Sequence, residues 1–154
     1  MTSSLLIKML ALEISDAVKN YRLHGDRDPP DGVTIFKQYI PVERFEQEDG
    51  RYHPFILIAL RTIEDGEETI AEIGLTFGVY GEDEETWQDL LNLMETVRIR
   101  LLAKRVIGRR YRLADTVQSE ISEVQPAPFF YGEMTVRYLM YQPQEEMGGK
   151  NGNV

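Results

Sequence analysis

The apolar positions near the start of the chain repeat every three or four residues, which predicts an amphipathic helix. Ser3 or Ser4 is the expected N-cap, and the helix is expected to end near Leu23. The predicted core face contains Leu6, Leu10, Ile14, Ala17, Val18 and Tyr21. Three further apolar side chains fall on the opposite side, where they indicate a second packing surface, within the fold or against a partner: Leu5, Met9 and Leu12.

Strand patterns dominate the next part of the chain. Val33–Ile40 is a predicted strand, and Phe55–Leu60 is apolar on both faces, as in a central strand covered on each side. Asp65-Gly66 is a strong hairpin signal, and the return strand Ile70–Tyr80 alternates between apolar and polar positions. Its predicted core-facing residues are Ile73, Leu75, Phe77 and Val79.

A second amphipathic helix is predicted from its N-cap Asp83 to a stop at Gly108. Its predicted buried stripe contains Trp87, Leu90, Leu91, Met94, Val97, Leu101 and Leu102. Strands around Val117–Val124 and over Phe129–Tyr141 follow it. The order of helix, three strands, helix and two strands predicts an α+β fold, in which two long helices pack on a mainly antiparallel sheet.

The length of 154 residues suits one domain, which we expect to span residues 1–141, and residues 142–154 have the composition of a disordered tail. The apolar N-terminal stretch is too short for a membrane span and lacks a signal-peptide cleavage pattern, so we expect synthesis in the cytoplasm. The absence of cysteine excludes disulfides, thiolate zinc sites, iron–sulfur clusters and cysteine nucleophiles.

Charge is distributed unevenly along the chain. The net charge of −9 argues against general binding to nucleic acid or to anionic membranes, because such a surface repels phosphate. Between Glu64 and Glu85 there are nine acids and no bases, whereas between Thr96 and Ala114 there are seven bases and no acids. Complementing the dipole of the second helix explains only part of this pattern, because the hairpin acids and Arg109–Arg112 lie outside that helix.

Two functional interpretations of the charge blocks stay open. In the first, the acidic edge of one subunit meets the basic edge of the next, a head-to-tail contact that closes into a ring. The candidate interface residues are Glu64, Asp65, Glu67, Glu68, Arg98, Arg105, Arg109, Arg110 and Arg112. In the second, the Arg98–Arg112 region binds nucleic acid, although Tyr111 is the only aromatic residue among those bases.

Motifs for catalysis are missing from the sequence. His24 and His53 lack a neighbouring nucleophile and orienting acid, and the segment from His24 to Asp28 lacks any established metal-ligand spacing. The glycines from Gly66 to Gly81 are not gathered before a helix as in a phosphate-binding loop. We therefore expect no enzyme activity and assign no catalytic, cofactor-binding or metal residues.

Two segments resemble small phage and prophage minor tail proteins. The segment Val124–Val136 is similar to the end of those proteins. In it, the stretch Pro126-Ala127-Pro128 is followed by aromatic residues, Gly132 and Glu133, and these lead into a last strand. Trp87–Glu95, after a strand ending Thr76-Phe77-Gly78-Val79-Tyr80, is similar to their central helix. The resemblance covers approximately Phe55 to Gln142.

The resemblance implies a structural protein of the tail terminator, or tail-completion, class. Proteins of that class form a ring, commonly a hexamer, at the head-proximal end of the tail tube, stop its polymerisation and meet the head connector. The expected partners are therefore other copies of this chain, tail-tube and head-connector proteins, and DNA that passes through the lumen, with no membrane. The expected location is the virion tail, assembled in the host cytoplasm, without any cofactor.

Overall fold

The computed structural model of the chain describes residues 2–42, 50–114 and 116–140. The predicted residues 142–154 of the tail lie outside this part. The described elements are, in chain order, α1 (Ser3–Ala17), β1 (Thr34–Lys37), β2 (Phe55–Asp65), β3 (Thr69–Tyr80), α2 (Thr86–Ala103), β4 (Val106–Ile107), β5 (Tyr111–Leu113), β6 (Gln118–Ile121) and β7 (Phe129–Met140).

The seven strands form one curled sheet of mixed direction, in the order β1-β2-β3-β7-β5-β4. Strand β6 pairs with the first part of β7, on the side where β5 pairs with its last part. β1 runs parallel to β2, and every other described pairing is antiparallel. More of the described residues lie in strands than in the two helices.

The predicted fold class is therefore wrong. Four strands follow α2 instead of two, the sheet is mixed because β1 runs parallel to β2, and α1 and α2 span only 15 and 18 residues. β4 and β5 are too short, at two and three residues, for a period-two pattern to show in the sequence. The turn between them contains Gly108 and Arg109, both at positive φ, so the predicted helix stop is the turn of a small hairpin.

The core lies between the two helices and one face of the sheet. The predicted core face is confirmed on α1 at Leu6, Leu10 and Ile14, which are buried. Val18 and Tyr21 are buried too, but they follow α1, which ends at Ala17 and not near Leu23 as predicted. The predicted core-facing residues of β3 are also buried: Ile73, Leu75, Phe77 and Val79. These side chains belong to one continuous apolar cluster that also includes residues of β7 and α2.

The helix boundaries differ from those predicted. Thr2, rather than Ser3 or Ser4, caps α1, because its hydroxyl oxygen accepts a hydrogen bond from the Leu5 N–H. Asp83 stands before α2, where its carboxylate accepts the Glu85 N–H at 2.8 Å, and Glu85 is the cap residue itself. On α2, Trp87 is half exposed instead of buried. The stripe that packs on the sheet is Thr86, Asp89, Leu90, Leu93, Met94, Val97 and Leu101.

Gly78 of β3 leaves room for the aromatic ring of Phe55 on the neighbouring strand β2. It pairs with Phe55 of β2 and Tyr131 of β7, and the Phe55 ring occupies the space that a Cβ at this position would need. A side chain larger than hydrogen here would displace the buried Phe55 ring. The glycine therefore serves packing on the sheet face opposite the helices.

Candidate functional site

The acidic hairpin and the basic turn project from the same end of the sheet. The strand register joins Asp65 to Thr69, Thr69 to Met140, Met140 to Tyr111 and Tyr111 to Ile107 in one row. The β2–β3 turn (residues 66–68) and the β4–β5 turn (residues 108–110) both leave the sheet beyond this row. At about 4.8 Å between neighbouring strands, Asp65 and Ile107 lie about 19 Å apart along the sheet.

The predicted acidic interface residues are all exposed at the tip of this hairpin. Thr69 donates its hydroxyl to the Asp65 carboxylate at 2.7 Å, which closes the turn. Glu64, Glu67 and Glu68 have no ion-pair partner among the described residues. Three carboxylates therefore stay unneutralised within the described part of the subunit.

The predicted basic interface residues divide into two groups. Arg98 donates two hydrogen bonds of 2.8 Å to Glu95 on its own helix. Arg105 donates to the carbonyl oxygens of Leu113 and Ala114, so it holds the end of α2 against β5. Neither guanidinium is left without a partner, and these two residues serve the fold.

The remaining arginines, Arg109, Arg110 and Arg112, are exposed at the β4–β5 turn. None of them has a carboxylate partner in the described ranges. Tyr111 between them is fully buried, and its hydroxyl donates to the Thr2 carbonyl oxygen at 2.7 Å. The structure thus leaves one cluster of unneutralised positive charge and one of negative charge at the same end of the sheet.

Sequence reasoning missed the ion pairs that join the two helices. Arg100 donates to Glu13 at 2.7 Å and to Asp16 at 2.9 Å, and Lys104 donates to Glu13 at 2.7 Å. The hydrogen bond from Lys104, together with those from Arg100, lowers the pKa of Glu13 against the effect of its burial. No local pattern links residues so far apart in sequence, so the sequence contains no signal for this contact.

A second missed network joins the loop after α1 to the start of α2. The buried Asp89 carboxylate, 2% exposed, accepts the His24 backbone N–H at 2.6 Å and lies 2.9 Å from His24 Nδ1. Asp83 lies 3.0 Å from His24 Nε2, and Tyr21 donates its hydroxyl to the Asp89 carbonyl oxygen. Hydrogen bonds to Asp83 and then Asp89 raise the pKa of His24.

His53 has different surroundings. Its ring lies against Phe55, Phe129 and Tyr131, with ring-centre distances of 5.0, 5.1 and 6.1 Å. Both ring nitrogens are buried, and neither has a hydrogen-bond partner among the described residues. Burial lowers the pKa of His53 to about 4. The ring is therefore neutral near pH 7 and packs as an aromatic side chain.

The described residues contain neither a metal-binding cluster nor a membrane-spanning helix. No group of three or more metal-ligating side chains comes together among residues 2–42, 50–114 and 116–140. Across the same residues, neither helix combines the length and the apolar character that a membrane crossing needs.

No protein-family model and no curated protein matches this sequence. Among solved structures, the chain is similar to a chain from the virion of the native gene transfer agent particle, with a TM-score of 0.51 and 10% sequence identity. The match covers 88% of this chain and 93% of that chain. Since it spans nearly the whole of both chains at such low identity, what the two share is the fold.

Proposed function

We propose that the protein is a structural subunit of a phage-like particle, and that it acts at the end of the tail tube. The observation that carries this proposal is the fold shared with a chain of the gene transfer agent virion over 93% of that chain. The resemblance of Val124–Val136 and Trp87–Glu95 to minor tail proteins supports it from the sequence. Most of the first segment is the loop before β7 and the start of β7, and the second lies on α2.

In this proposal, copies of the chain form a ring, which we expect to be a hexamer. The ring terminates the tube and contacts the head connector. The unneutralised acids and arginines at one end of the sheet supply the complementary charge that such subunit contacts use. Part of the excess negative charge of the chain lines the path of the DNA, where repulsion keeps the passing DNA from binding. The role is structural and includes no catalytic step.

Deletion of the gene from a particle-producing genome tests the proposal. We expect tails of irregular length and heads without tails in electron micrographs, because the tube end is no longer closed or joined. Expression of the chain from a plasmid restores normal particles, and a plasmid with a stop codon early in the gene is the matched control. Normal particles from the deletion strain would refute the proposal.

The alternative function, nucleic-acid binding through Arg98–Arg112, makes a different prediction. It requires tight retention of DNA at low salt, with affinity that falls steeply as salt rises. Arg98 and Arg105 are engaged within the fold, and the buried Tyr111 ring is not available to stack on bases. Tight DNA binding by the isolated chain, measured by fluorescence anisotropy, would favour this alternative over a particle subunit.

A further inference from the structure

One flank of the sheet has an open strand edge. β1 pairs with β2 only from Phe55 to Ile58. Beyond it, the Gln38 side chain takes the place of a strand, because its amide donates to the Leu60 carbonyl oxygen and accepts the Leu60 N–H at 3.0 and 2.9 Å. From Arg61 to Asp65, β2 pairs with β3 on one side and with no described strand on the other.

The open edge of β2 contains an exposed apolar side chain among charges. Ile63 is 45% exposed, and its neighbours are Thr62 and Glu64, with Glu67 and Glu68 at the adjacent turn. Unpaired strand edges accept further chains unless charge or a covering element protects them. Arg61 at this edge pairs with Glu133, so the charge that has no described partner is of one sign, and a positively charged partner is favoured instead of repelled.

The opposite flank of the same sheet presents the complementary surface. β4 is the last strand of the described sheet, and its Val106 is 46% exposed. Val106 pairs with Arg112 of β5, and Arg109 and Arg110 lie in the turn between the two strands. This corner therefore consists of one apolar side chain beside three unneutralised arginines.

We propose that the open edge of β2 and its acidic turn dock on the β4–β5 corner of a second copy of this chain. The contact brings Ile63 and Val106 together inside a rim of opposite charges, the arrangement of an apolar centre and polar rim found in specific interfaces. Because the two surfaces are different and lie on opposite flanks, a pair of copies still has one free surface of each kind, one on each copy. Association is therefore head to tail and continues beyond a dimer.

The inference deepens the proposed function, since it names the contact by which the ring forms. It also assigns different roles to residues that the sequence placed in one interface. Arg98 pairs with Glu95 on its own helix and Arg105 holds the end of α2 against β5, whereas Arg109, Arg110 and Arg112 bind the neighbour.

Charge reversal of each surface tests the proposal. The acid-reversed variant carries Glu64→Lys, Glu67→Lys and Glu68→Lys, and the base-reversed variant carries Arg109→Glu, Arg110→Glu and Arg112→Glu. A control variant carries Glu120→Lys and Glu123→Lys, which change exposed acids outside both surfaces. The molecular mass in solution is measured over a range of protein and salt concentrations, and circular dichroism verifies that each variant is folded.

We expect the wild type and the control to form species larger than dimers, and each reversed variant alone to associate at least about tenfold more weakly. A chain with all six reversals regains association, because its charges are again complementary. When the acid-reversed and base-reversed variants are mixed in equal amounts, they form assemblies that contain both variants. High salt weakens every one of these contacts.

Several results would overturn the inference. They are a wild type that self-associates with a dissociation constant above about 1 mM, assembly that stops at a dimer, or reversed variants that associate as the wild type does. These outcomes concern self-association, whereas the particle phenotype of the deletion strain tests the proposed function. Normal assembly of the reversed variants together with a defective deletion strain would reject the contact and retain the function.

Discussion

The charged side chains between the two helices are paired within the subunit, whereas those at the end of the sheet have no ion-pair partner in the described part of the chain. Between α1 and α2, Arg100 and Lys104 meet Glu13 and Asp16 at 2.7 to 2.9 Å. At the hairpin tip and the β4–β5 turn, charges of the same types stay exposed without partners in the described part of the chain. The comparison shows that net charge and charge runs do not reveal function until the internally neutralised groups are set aside.

The difference follows from where each group lies in the fold. Glu13 lies on a helix that packs against another helix, so its carboxylate is mostly buried and requires partners. The hairpin acids lie at the end of β2 and in the turn beyond it, where they are exposed and water solvates them. Variants of the first kind are expected to change stability, and variants of the second kind are expected to change assembly.

The largest expected loss of stability comes from Asp89, the most buried carboxylate in these networks. Asp89→Ala leaves the His24 backbone N–H and imidazole without their acceptor and lowers the free energy of unfolding by about 2–4 kcal/mol. Chemical denaturation measures the change. Asp83→Ala is the matched control on the exposed side of the same histidine, and its expected loss is clearly smaller and comes mainly from the cap contact with Glu85. Equal losses for the two variants would contradict the role of burial.

A smaller loss is expected at the contact between the helices. Glu13→Gln keeps the shape of the side chain but removes the charge that Arg100 and Lys104 meet, and it lowers the free energy of unfolding by about 1 kcal/mol. Denaturation in low and high salt measures it, and the variant is expected to respond less to salt than the wild type. Glu95→Gln, which affects only the exposed pair with Arg98, is the control, and it is expected to change stability less than Glu13→Gln does.

The sequence permitted accurate prediction where a single period extends over many residues. The core face of α1 and the alternation of β3 follow from such periods, and Asp65-Gly66 marks the hairpin that the structure contains. Prediction failed where tertiary contacts replace local pattern. Trp87 and Leu91 fit an apolar stripe of α2, yet the helix is rotated so that Thr86, Asp89 and Leu93 face inward.

The candidate site was predictable only as an excess of charge. Local sequence cannot show that Arg105 donates to the Leu113 and Ala114 carbonyl oxygens while Arg109 stays free of any described carboxylate, because these contacts depend on how elements pack. The position of both turns at one end of the sheet depends on the strand register, and β4 and β5 leave no detectable pattern. Association through these turns stays a prediction.

The two histidines extend the comparison to pH. The raised pKa of His24 means that the stability it adds is complete below its ordinary value near 6.5 and is lost as pH rises through the raised value. The pKa of His53 is lowered to about 4 and has the opposite consequence. As the pH falls, the unfolded chain binds a proton at this histidine before the folded chain does, and this favours unfolding. Stability from His53 is therefore lost as pH falls from about 6.5 towards 4.

We therefore expect a maximum of stability near pH 6.5. Below it the slope due to His53 is at most about 1.4 kcal/mol per pH unit, and less where solvent reaches the ring. Denaturation of the wild type, His24→Asn and His53→Phe across this range measures the two contributions. His53→Phe should flatten the acid side alone, and His24→Asn the alkaline side alone. Unchanged profiles in both variants would rule out the two histidines as the source of the pH dependence.

Substitutions at the hairpin tip are expected to change stability least but to change assembly clearly. Glu67→Lys with Glu68→Lys alters only exposed groups without described partners, so the free energy of unfolding is expected to change by less than about 0.5 kcal/mol. The same change places like charges opposite the arginines of a neighbouring copy and weakens self-association, which mass measurement in solution detects. A large loss of stability with unchanged assembly would reverse the comparison, because the hairpin charges would then serve the fold as Glu13 does.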